Sequence, residues 1–184
     1  MAHKGSTRRV FLVGFMGAGK TSVGRALAQR LGWSFQDLDE LIENRHKKSV
    51  AQIFAEAGEA AFRQMEAAAL RELLQASADT GAGSVVALGG GAFVQKENRE
   101  AIARSGSPVV LLEAPVEEMR RRCTAQGAMR PLAGDAERFA RLYSARRAAY
   151  ELAPLRVQNV NKTVDQAAAE IENLIAAAVG RRQK

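Results

Sequence analysis

Cysteine, histidine and aromatic residues are all scarce in this chain of 184 residues. The single cysteine, Cys123, excludes an internal disulfide and fits a reducing compartment, so we expect a cytoplasmic protein. One cysteine and two histidines are too few for a zinc cluster. We expect Cys123 to be a small buried hydrophobic residue. His3 lies in the N-terminal tail and His46 in a basic cluster, so we expect neither to act as a catalytic base.

Long apolar runs are absent as well. No run of 18 apolar residues occurs, so we expect no membrane-spanning segment and no membrane partner. Residues 1–9 are polar and basic and lack the apolar stretch of a secretory signal. Aromatic residues make up 5% of the chain and do not interleave with basic ones, so the net charge of +7 does not indicate nucleic-acid binding. A protein whose substrates are all anions has its own reason to be basic.

Hydrophobic residues make up 47% of the chain, enough for the core of one domain over residues 1–184. Short apolar runs alternate with segments of helical periodicity, a pattern typical of a parallel sheet covered by helices on both faces. The predicted strands are 10–13, 34–37, 85–88, 109–112 and 156–158, and the predicted helices begin near 20, 40, 49, 59, 95, 115, 136 and 163. We expect the helices within about 37–75 to form a substrate-binding subdomain over the carboxyl ends of the strands.

Several helix boundaries are marked by local residue chemistry. Gly32 occupies the position where a glycine commonly ends a helix. The segments Ser49–Gln52 and Thr163–Gln166 have the capping-box pattern, so we expect helices to begin there. The helix that begins at Ser49 is predicted to run to Gly58, and another helix is predicted from Glu59 to Gln75.

The segment Gly14-Phe15-Met16-Gly17-Ala18-Gly19-Lys20-Thr21 carries the strongest motif of the chain. It matches G-x-x-x-x-G-K-[ST] in full, the Walker A phosphate loop, and it lies between a predicted strand and a predicted helix. Glycines let backbone N–H groups curl around an anion, and the helix N-terminus adds partial positive charge. Lys20 is placed to reach the β and γ phosphates of a nucleotide, and Thr21 to bind Mg²⁺. The predicted ATP-binding residues of this loop are Gly14, Gly17, Ala18, Gly19, Lys20, Thr21 and Ser22.

Two carboxylates, Asp37 and Asp39, follow the second predicted strand. At this spacing they can face the same side, towards the phosphate loop. One could hold Mg²⁺ through water, and the other could accept a hydrogen bond or a proton from a substrate hydroxyl. Asp39 is equally suited to cap a helix that begins at Glu40, and both roles can coexist.

Arginines and a glycine triplet supply the other candidate residues. Gly89-Gly90-Gly91 follows a predicted strand, where it either forms a sharp turn or lets backbone amides approach a ligand closely. Arg130 lies beside Pro131 in a loop bounded by glycines, as an arginine on a closing lid would; a solvated loop charge is the alternative. Arg63, on a predicted helix, is either a solvated charge or a ligand-binding residue.

In order and spacing, these segments resemble the shikimate kinase family, small Mg²⁺- and ATP-dependent enzymes with the fold of the nucleoside-monophosphate kinases. The resemblance covers nearly the whole chain. The segments that carry it are Gly14–Thr21, Phe35–Asp39, Ile53-Phe54, Gly58-Glu59, Phe62-Arg63, Leu88–Ala92, Arg130-Pro131-Leu132, and Arg146 ahead of Tyr150. The resemblance implies a three-layer α/β/α P-loop kinase fold with a central parallel five-stranded sheet, a helical substrate-binding subdomain and a mobile lid over about 124–135.

The resemblance also implies the reaction, which is transfer of the γ-phosphoryl group of ATP to the 3-hydroxyl of shikimate in aromatic amino acid biosynthesis. Lys20, Asp39 and Arg130 are implied as catalytic residues, with Asp39 as the candidate base and Arg130 as the lid arginine that also binds ATP. Mg²⁺ is implied as the cofactor, held by Thr21 and, through water, by Asp37. The implied partners are ATP and shikimate alone, and we expect a monomer.

Residues for the acceptor follow from the same resemblance. Shikimate would be held by arginines on its carboxylate, by glycine amides and by aromatic walls. The residues are Asp39, Arg63, Gly89, Gly90, Gly91, Arg146, Phe54 and Phe62. The family's Arg-x-Pro-Leu-Tyr reads Arg146-Arg147-Ala148-Ala149-Tyr150 here, so Arg147 is an alternative to Arg146. Cys123 falls where an arginine near the adenine is usual, which makes Arg122 the neighbouring candidate.

Two other functions are compatible with the phosphate loop. A kinase of the same fold could act on gluconate or on a nucleoside monophosphate. A nucleotide-binding regulator could retain the loop without phosphoryl transfer. Asp39, Arg63 and the glycine triplet favour an acidic polyol as the acceptor.

Overall fold

Five parallel strands form one sheet in the computed structural model, which describes residues 9–76, 83–125 and 134–181. The strands are β1 (Arg9–Val13), β2 (Ser34–Asp37), β3 (Ser84–Ala87), β4 (Val109–Glu113) and β5 (Leu155–Gln158). Their order across the sheet is β2-β3-β1-β4-β5, and every neighbouring pair is parallel. The predicted α/β fold with a central parallel sheet is therefore confirmed.

Helices connect the strands and cover the sheet. They are α1 (Lys20–Leu31), α2 (Leu38–His46), α3 (Val50–Gln75), α4 (Lys96–Arg104), α5 (Val116–Ala125), α6 (Ala136–Tyr150) and α7 (Val164–Arg181), with a 3-10 helix at Ala92–Val94. Helix α1 packs against α7 and lies across β2 and β3, while α3 contacts α2 and α4. The 3-10 helix has only three residues, too few to leave a periodic signal in the sequence. Within the described ranges, no helix combines the length and apolarity needed to cross a bilayer.

The central strands supply the middle of the core. All five residues of β1 are buried, and only Glu113 of β4 is partly exposed, because such strands are covered on both faces. Arg9 is the polar exception: its guanidinium donates to the backbone carbonyls of Leu74, at 3.2 Å, and Ala76, which lie at the C-terminus of α3. The first residue of the sheet thereby anchors the end of the longest helix. Cys123 is buried, as expected.

Both predicted capping boxes form. The Ser49 hydroxyl accepts from the Gln52 amide at 3.2 Å, and the Gln52 side chain accepts from the Ser49 amide at 2.8 Å. The same pair of bonds joins Thr163 and Gln166, at 3.1 and 2.8 Å. Gly32 adopts the left-handed conformation with φ 64° and ends α1, as predicted.

Two helix boundaries in the region 37–75 depart from or refine the sequence expectation. The prediction that Asp39 caps a helix beginning at Glu40 is wrong: α2 begins at Leu38, and Asp37 is its N-cap. The Asp37 side chain accepts from the backbone amide of Asp39 at 3.1 Å, so Asp39 lies in the first turn of the helix and is not its cap. Helix α3 is interrupted at Gly58, with φ 80° and ψ 172°, which agrees with the predicted boundary.

The sheet order brings three loops to one edge. β3 lies between β1 and β2, so the segments that follow these strands leave the sheet side by side. They are the phosphate loop after β1, Asp37 and Asp39 at the end of β2, and the glycine triplet after β3. Ligands bind at this carboxyl edge in open parallel sheets.

Candidate active site

The phosphate loop has the conformation that its glycines predict. Gly14, Gly17 and Gly19 have φ values of 140°, 78° and 96°, a region that residues with a side chain rarely adopt. A Cβ at Gly14 would lie 2.4 Å from the carbonyl oxygen of Leu112, and one at Gly17 would lie 2.1 Å from that of Met119. Lys20 Nζ donates to the carbonyls of Gly14, at 2.8 Å, and Phe15, at 3.0 Å. The loop is thus wrapped around the ammonium group that is predicted to reach the phosphates.

A cavity of about 270 Å³ opens beside this loop. Its lining residues are Gly17, Gly19, Lys20, Thr21, Ser22, Val23, Arg122, Asn159, Lys162 and Val164. Asn159 Nδ2 donates to the carbonyl of Ala18 at 2.8 Å, and Arg122 donates to the carbonyl of Asn159 at 2.8 Å. The segment after β5 therefore braces the phosphate loop and closes one side of the cavity. Sequence reasoning missed Lys162, because no local motif marks this residue as adjacent to the loop.

Thr21 and Asp37 supply a pair of oxygen ligands next to the phosphate loop. The Thr21 hydroxyl donates to Asp37 Oδ2 at 2.9 Å, while Oδ1 of the same carboxylate accepts the amide of Asp39. Hydroxyl and carboxylate oxygens are the ligands that Mg²⁺ prefers, and a nucleotide's phosphates normally complete its coordination. In the described part of the chain, no group of three or more Asp, Glu, His or Cys residues could enclose a metal by itself. The donor set fits a Mg²⁺ ion that arrives with a nucleotide.

Three functional side chains lie directly against the glycine triplet. A Cβ at Gly89 would lie 2.4 Å from Asp39 Oδ1 and 2.8 Å from Glu66 Oε1. A Cβ at Gly91 would lie 2.1 Å from Arg63 Nη1. A side chain at either position would displace these groups, so the glycines leave room for two carboxyl groups and a guanidinium. The triplet also forms a turn, in which the Ala92 amide donates to the carbonyl of Gly89 at 3.1 Å, as the turn interpretation predicts. The approach of its amides to a ligand stays a prediction.

Arg63 is held from two sides rather than solvated. Its Nη1 donates to Glu66 Oε2 at 2.9 Å, and its Nε and Nη2 donate to Glu59 Oε1 at 3.3 and 3.0 Å. Burial lowers its pKa, but Glu66 and Glu59 outweigh this effect and hold the pKa above the usual arginine value. The guanidinium also stacks near the rings of Phe62 and Phe54, at 5.4 and 5.8 Å. These two rings lie 4.7 Å apart and form one aromatic wall beside it.

Of the two neighbouring arginines on α6, Arg146 faces the site. Its Nη1 donates to the carbonyl of Gly90 at 3.3 Å, whereas Arg147 pairs with Glu151 at 2.8 Å on the surface. Arg146 also lies over the ring of Phe15, a phosphate-loop residue, at 6.0 Å. Asp39, Arg63 and Arg146 thus border the same three glycines.

Glu66 is a site residue that sequence reasoning missed. Its side chain is fully buried, and Oε2 accepts from Arg63 and from Gln95 Nε2, each at 2.9 Å. In the described structure, Oε1 has no hydrogen-bond partner and faces the space beside Gly89 and Asp39. Burial raises the pKa of Glu66, and the adjacent Arg63 offsets only part of that rise. An acidic residue one helical turn after Arg63 was the available signal.

Arg130 and most of the predicted lid fall within 126–133, outside the described residues. Ser22 is exposed at the start of α1 and lines the cavity beside the phosphate loop.

The chain is similar to known proteins in sequence and in fold. The family model for shikimate kinase matches residues 16–176. A shikimate kinase of Geobacter metallireducens is 42% identical over 169 residues, which are 90% of each chain. One of Symbiobacterium thermophilum is 41% identical over 167 residues, or 88% of this chain and 92% of the relative. The structure of an Acinetobacter baumannii shikimate kinase in complex with shikimate superposes with a TM-score of 0.84 at 33% identity, covering 95% of this chain and 96% of that one.

Proposed function

The chain belongs to the shikimate kinase family, and we propose that the residues at the carboxyl edge of its sheet transfer the γ-phosphoryl group of ATP to the 3-hydroxyl of shikimate. One observation carries the residue assignment. Asp39, Arg63 and Arg146 come from three different helices and converge on one glycine triplet next to the phosphate loop. An acid–base group and two carboxylate-binding groups beside a triphosphate cradle are the parts that such a transfer needs.

ATP is the phosphoryl donor. The amides of the phosphate loop and Lys20 hold its β and γ phosphates, and Ser22 borders them at the start of α1. The cavity beyond the loop, lined by Arg122 and Lys162, takes the nucleoside end. Thr21 and, through water, Asp37 would hold Mg²⁺, which would neutralise phosphate charge when bound.

Shikimate lies over the glycine triplet. Its carboxylate pairs with the guanidinium groups of Arg63 and Arg146, because a planar fork matches a carboxylate in charge and geometry. The amides of Gly90 and Gly91 donate to it, while Gly89 gives Asp39 its room. Phe54 and Phe62 pack against the ring.

Asp39 orients the 3-hydroxyl and accepts its proton. As that oxygen bonds to the γ-phosphorus, the bond from phosphorus to the β–γ bridging oxygen breaks, and ADP leaves with the bonding electrons. Lys20 and the lid residue Arg130 stabilise the charge that develops on the transferred group. Closure of the lid over about 124–135 excludes water, which would otherwise compete as the acceptor. We infer a cytoplasmic monomer of one domain, with substrate-binding helices over about 37–75.

A coupled ADP-release assay tests the assignment. The wild type should turn over with shikimate and not with gluconate or a nucleoside monophosphate. Asp39→Asn should lose about 100-fold or more in kcat, the usual worth of a positioned proton acceptor, while calorimetry shows ADP binding close to that of the wild type. Glu40→Gln, the next residue and an exposed partner of Arg25, is the matched control and should keep full activity. Loss of ADP affinity in Asp39→Asn, or turnover with gluconate alone, would contradict the proposal.

A further inference from the structure

Tyr150 is a buried hydroxyl that the reaction described above does not use. Its side chain is 2% exposed at the end of α6, and its hydroxyl donates to the carbonyl of Gly90. Burial raises the pKa of Tyr150 to about 12, so the phenol remains a neutral hydrogen-bond donor at physiological pH. A buried phenol normally has a hydrogen-bond acceptor as its partner, and here that acceptor is the carbonyl of a glycine in the proposed acceptor site.

The carbonyl of Gly90 accepts two hydrogen bonds from the same helix. Arg146 Nη1 donates to it at 3.3 Å, beside the Tyr150 hydroxyl. A carbonyl oxygen has two lone pairs, so both are used. The peptide bond that follows Gly90 is planar and trans, so the direction of this carbonyl also sets the direction of the Gly91 N–H, which points the opposite way. Holding the carbonyl of Gly90 therefore aims the amide of Gly91.

The same tyrosine reaches the donor side of the site. Its ring packs edge-on against Phe15 of the phosphate loop, with ring centroids 6.5 Å apart. Around Gly90, the position of a Cβ would lie 3.8 Å from the Tyr150 hydroxyl and 3.8 Å from the amide nitrogen of Met16. Tyr150 thus stands where the phosphate loop, the triplet and α6 meet.

We propose that Tyr150 is a positioning residue for the acceptor: its hydroxyl fixes the Gly90–Gly91 peptide, so that the Gly91 amide on the opposite side of this peptide is held in one direction for shikimate. This inference rests on the proposed function of the triplet. Glycine residues have more freedom in φ and ψ than other residues, so a hydrogen bond to the Gly90 carbonyl helps to hold the neighbouring amide in one direction. The hydroxyl supplies that restraint at a carbonyl that Arg146 also contacts.

Steady-state kinetics of Tyr150→Phe test the inference, with Tyr143→Phe as the matched control. Tyr143 lies on the same helix and its ring also packs edge-on against Phe15, at 5.4 Å. Tyr150→Phe should raise KM for shikimate about 5- to 30-fold, the worth of one buried hydrogen bond, with kcat and KM for ATP within about twofold of the wild type. Tyr143→Phe should leave all three unchanged.

A readout independent of activity keeps the test sharp. In protein labelled with nitrogen-15 glycine, the Gly91 amide resonance should move in Tyr150→Phe and stay in place in Tyr143→Phe. A lower melting temperature with an unchanged KM for shikimate would make Tyr150 merely structural and overturn the inference. An equal rise of KM for shikimate in the two variants would assign the effect to the packing of both tyrosine rings against Phe15 and would overturn the inference as well. If the wild type fails to phosphorylate shikimate, the proposed function fails, and this inference fails with it.

Discussion

Gly90→Ala offers a selective test of the acceptor site. A Cβ at Gly90 would lie 3.6 Å from Arg146 Nη1 and 3.8 Å from its next neighbours, which are ordinary contact distances. Gly90 does not have a positive φ, so alanine meets no backbone strain there. The free protein should therefore accept the methyl group with a melting temperature within about 2 °C of the wild type, since surface and unstrained changes are worth little.

The bound complex should not accept it. The methyl projects between the phosphate loop and Arg146, into the space assigned to shikimate. Overpacking a fitted site by one methyl group costs about 1–3 kcal/mol, which corresponds to roughly a 5- to 150-fold loss of kcat/KM for shikimate. The binding of ADP, measured by calorimetry, should change less than about twofold, because the loop itself is untouched.

Gly89→Ala and Gly91→Ala are the comparison variants. Their Cβ atoms would lie 2.4 Å from Asp39 Oδ1 and 2.1 Å from Arg63 Nη1, so both should disturb the free protein as well as the complex. Of these three variants, only Gly90→Ala should lower kcat/KM for shikimate while leaving the melting temperature unchanged. Wild-type kcat/KM for shikimate in Gly90→Ala would refute the placement of the acceptor over the triplet.

Three further variants probe separate parts of the structure. Arg63→Lys should raise KM for shikimate about 10- to 100-fold because lysine lacks the fork, whereas the surface variant Arg147→Lys should show wild-type kinetics; equal effects would contradict the assignment of Arg63. Burial raises the pKa of Glu66 above its ordinary 4.5, so the folded protein binds this proton more readily than the unfolded chain does. The free energy of unfolding should therefore fall as pH rises from 4.5 through the raised pKa. Denaturant titrations of Glu66→Gln should lack this contribution to the fall, and a pH profile identical to that of the wild type would contradict the prediction. Ser49→Ala should lower the free energy of unfolding by about 1 kcal/mol by removing a capping box, with no change in KM, and an unaltered melting curve would show that the cap is not needed.

Local sequence was enough for the framework. The full phosphate-loop motif, the capping boxes and the alternation of apolar runs with helical periodicity each depend on neighbouring residues, and the structure confirms the elements that they predict. Membership of the shikimate kinase family is predicted from an ordered set of such motifs. The match of the family model to residues 16–176 confirms it. The roles of the individual site residues stay predictions, and Arg130 lies outside the described part of the chain.

Long-range packing decided what the sequence could not. Arg146 and Arg147 differ by one position, and only the docking of α6 against the triplet separates their surroundings. Glu66 is buried by contacts with Arg63 and Gln95, which is 29 residues away in the chain. The sequence offers Asp39 as a cap for a helix that begins at Glu40, but α2 begins at Leu38 and its cap is Asp37.

The placement of β3 between β1 and β2 sets the distance over which chemistry must act. Adjacent strands are about 4.8 Å apart, so the ends of β1 and β2 are separated by roughly 10 Å. Under the proposed function, a terminal phosphoryl group held after β1 and a ring hydroxyl held near the end of β2 would meet above the strand in the middle. The segment after the middle strand continues, beyond Leu88, with three glycines, which leave space at this crossing point. Direct pairing of β1 with β2 would halve that separation. It would also remove the glycine triplet from between the two strand ends, and with it the surface on which a six-membered ring could lie.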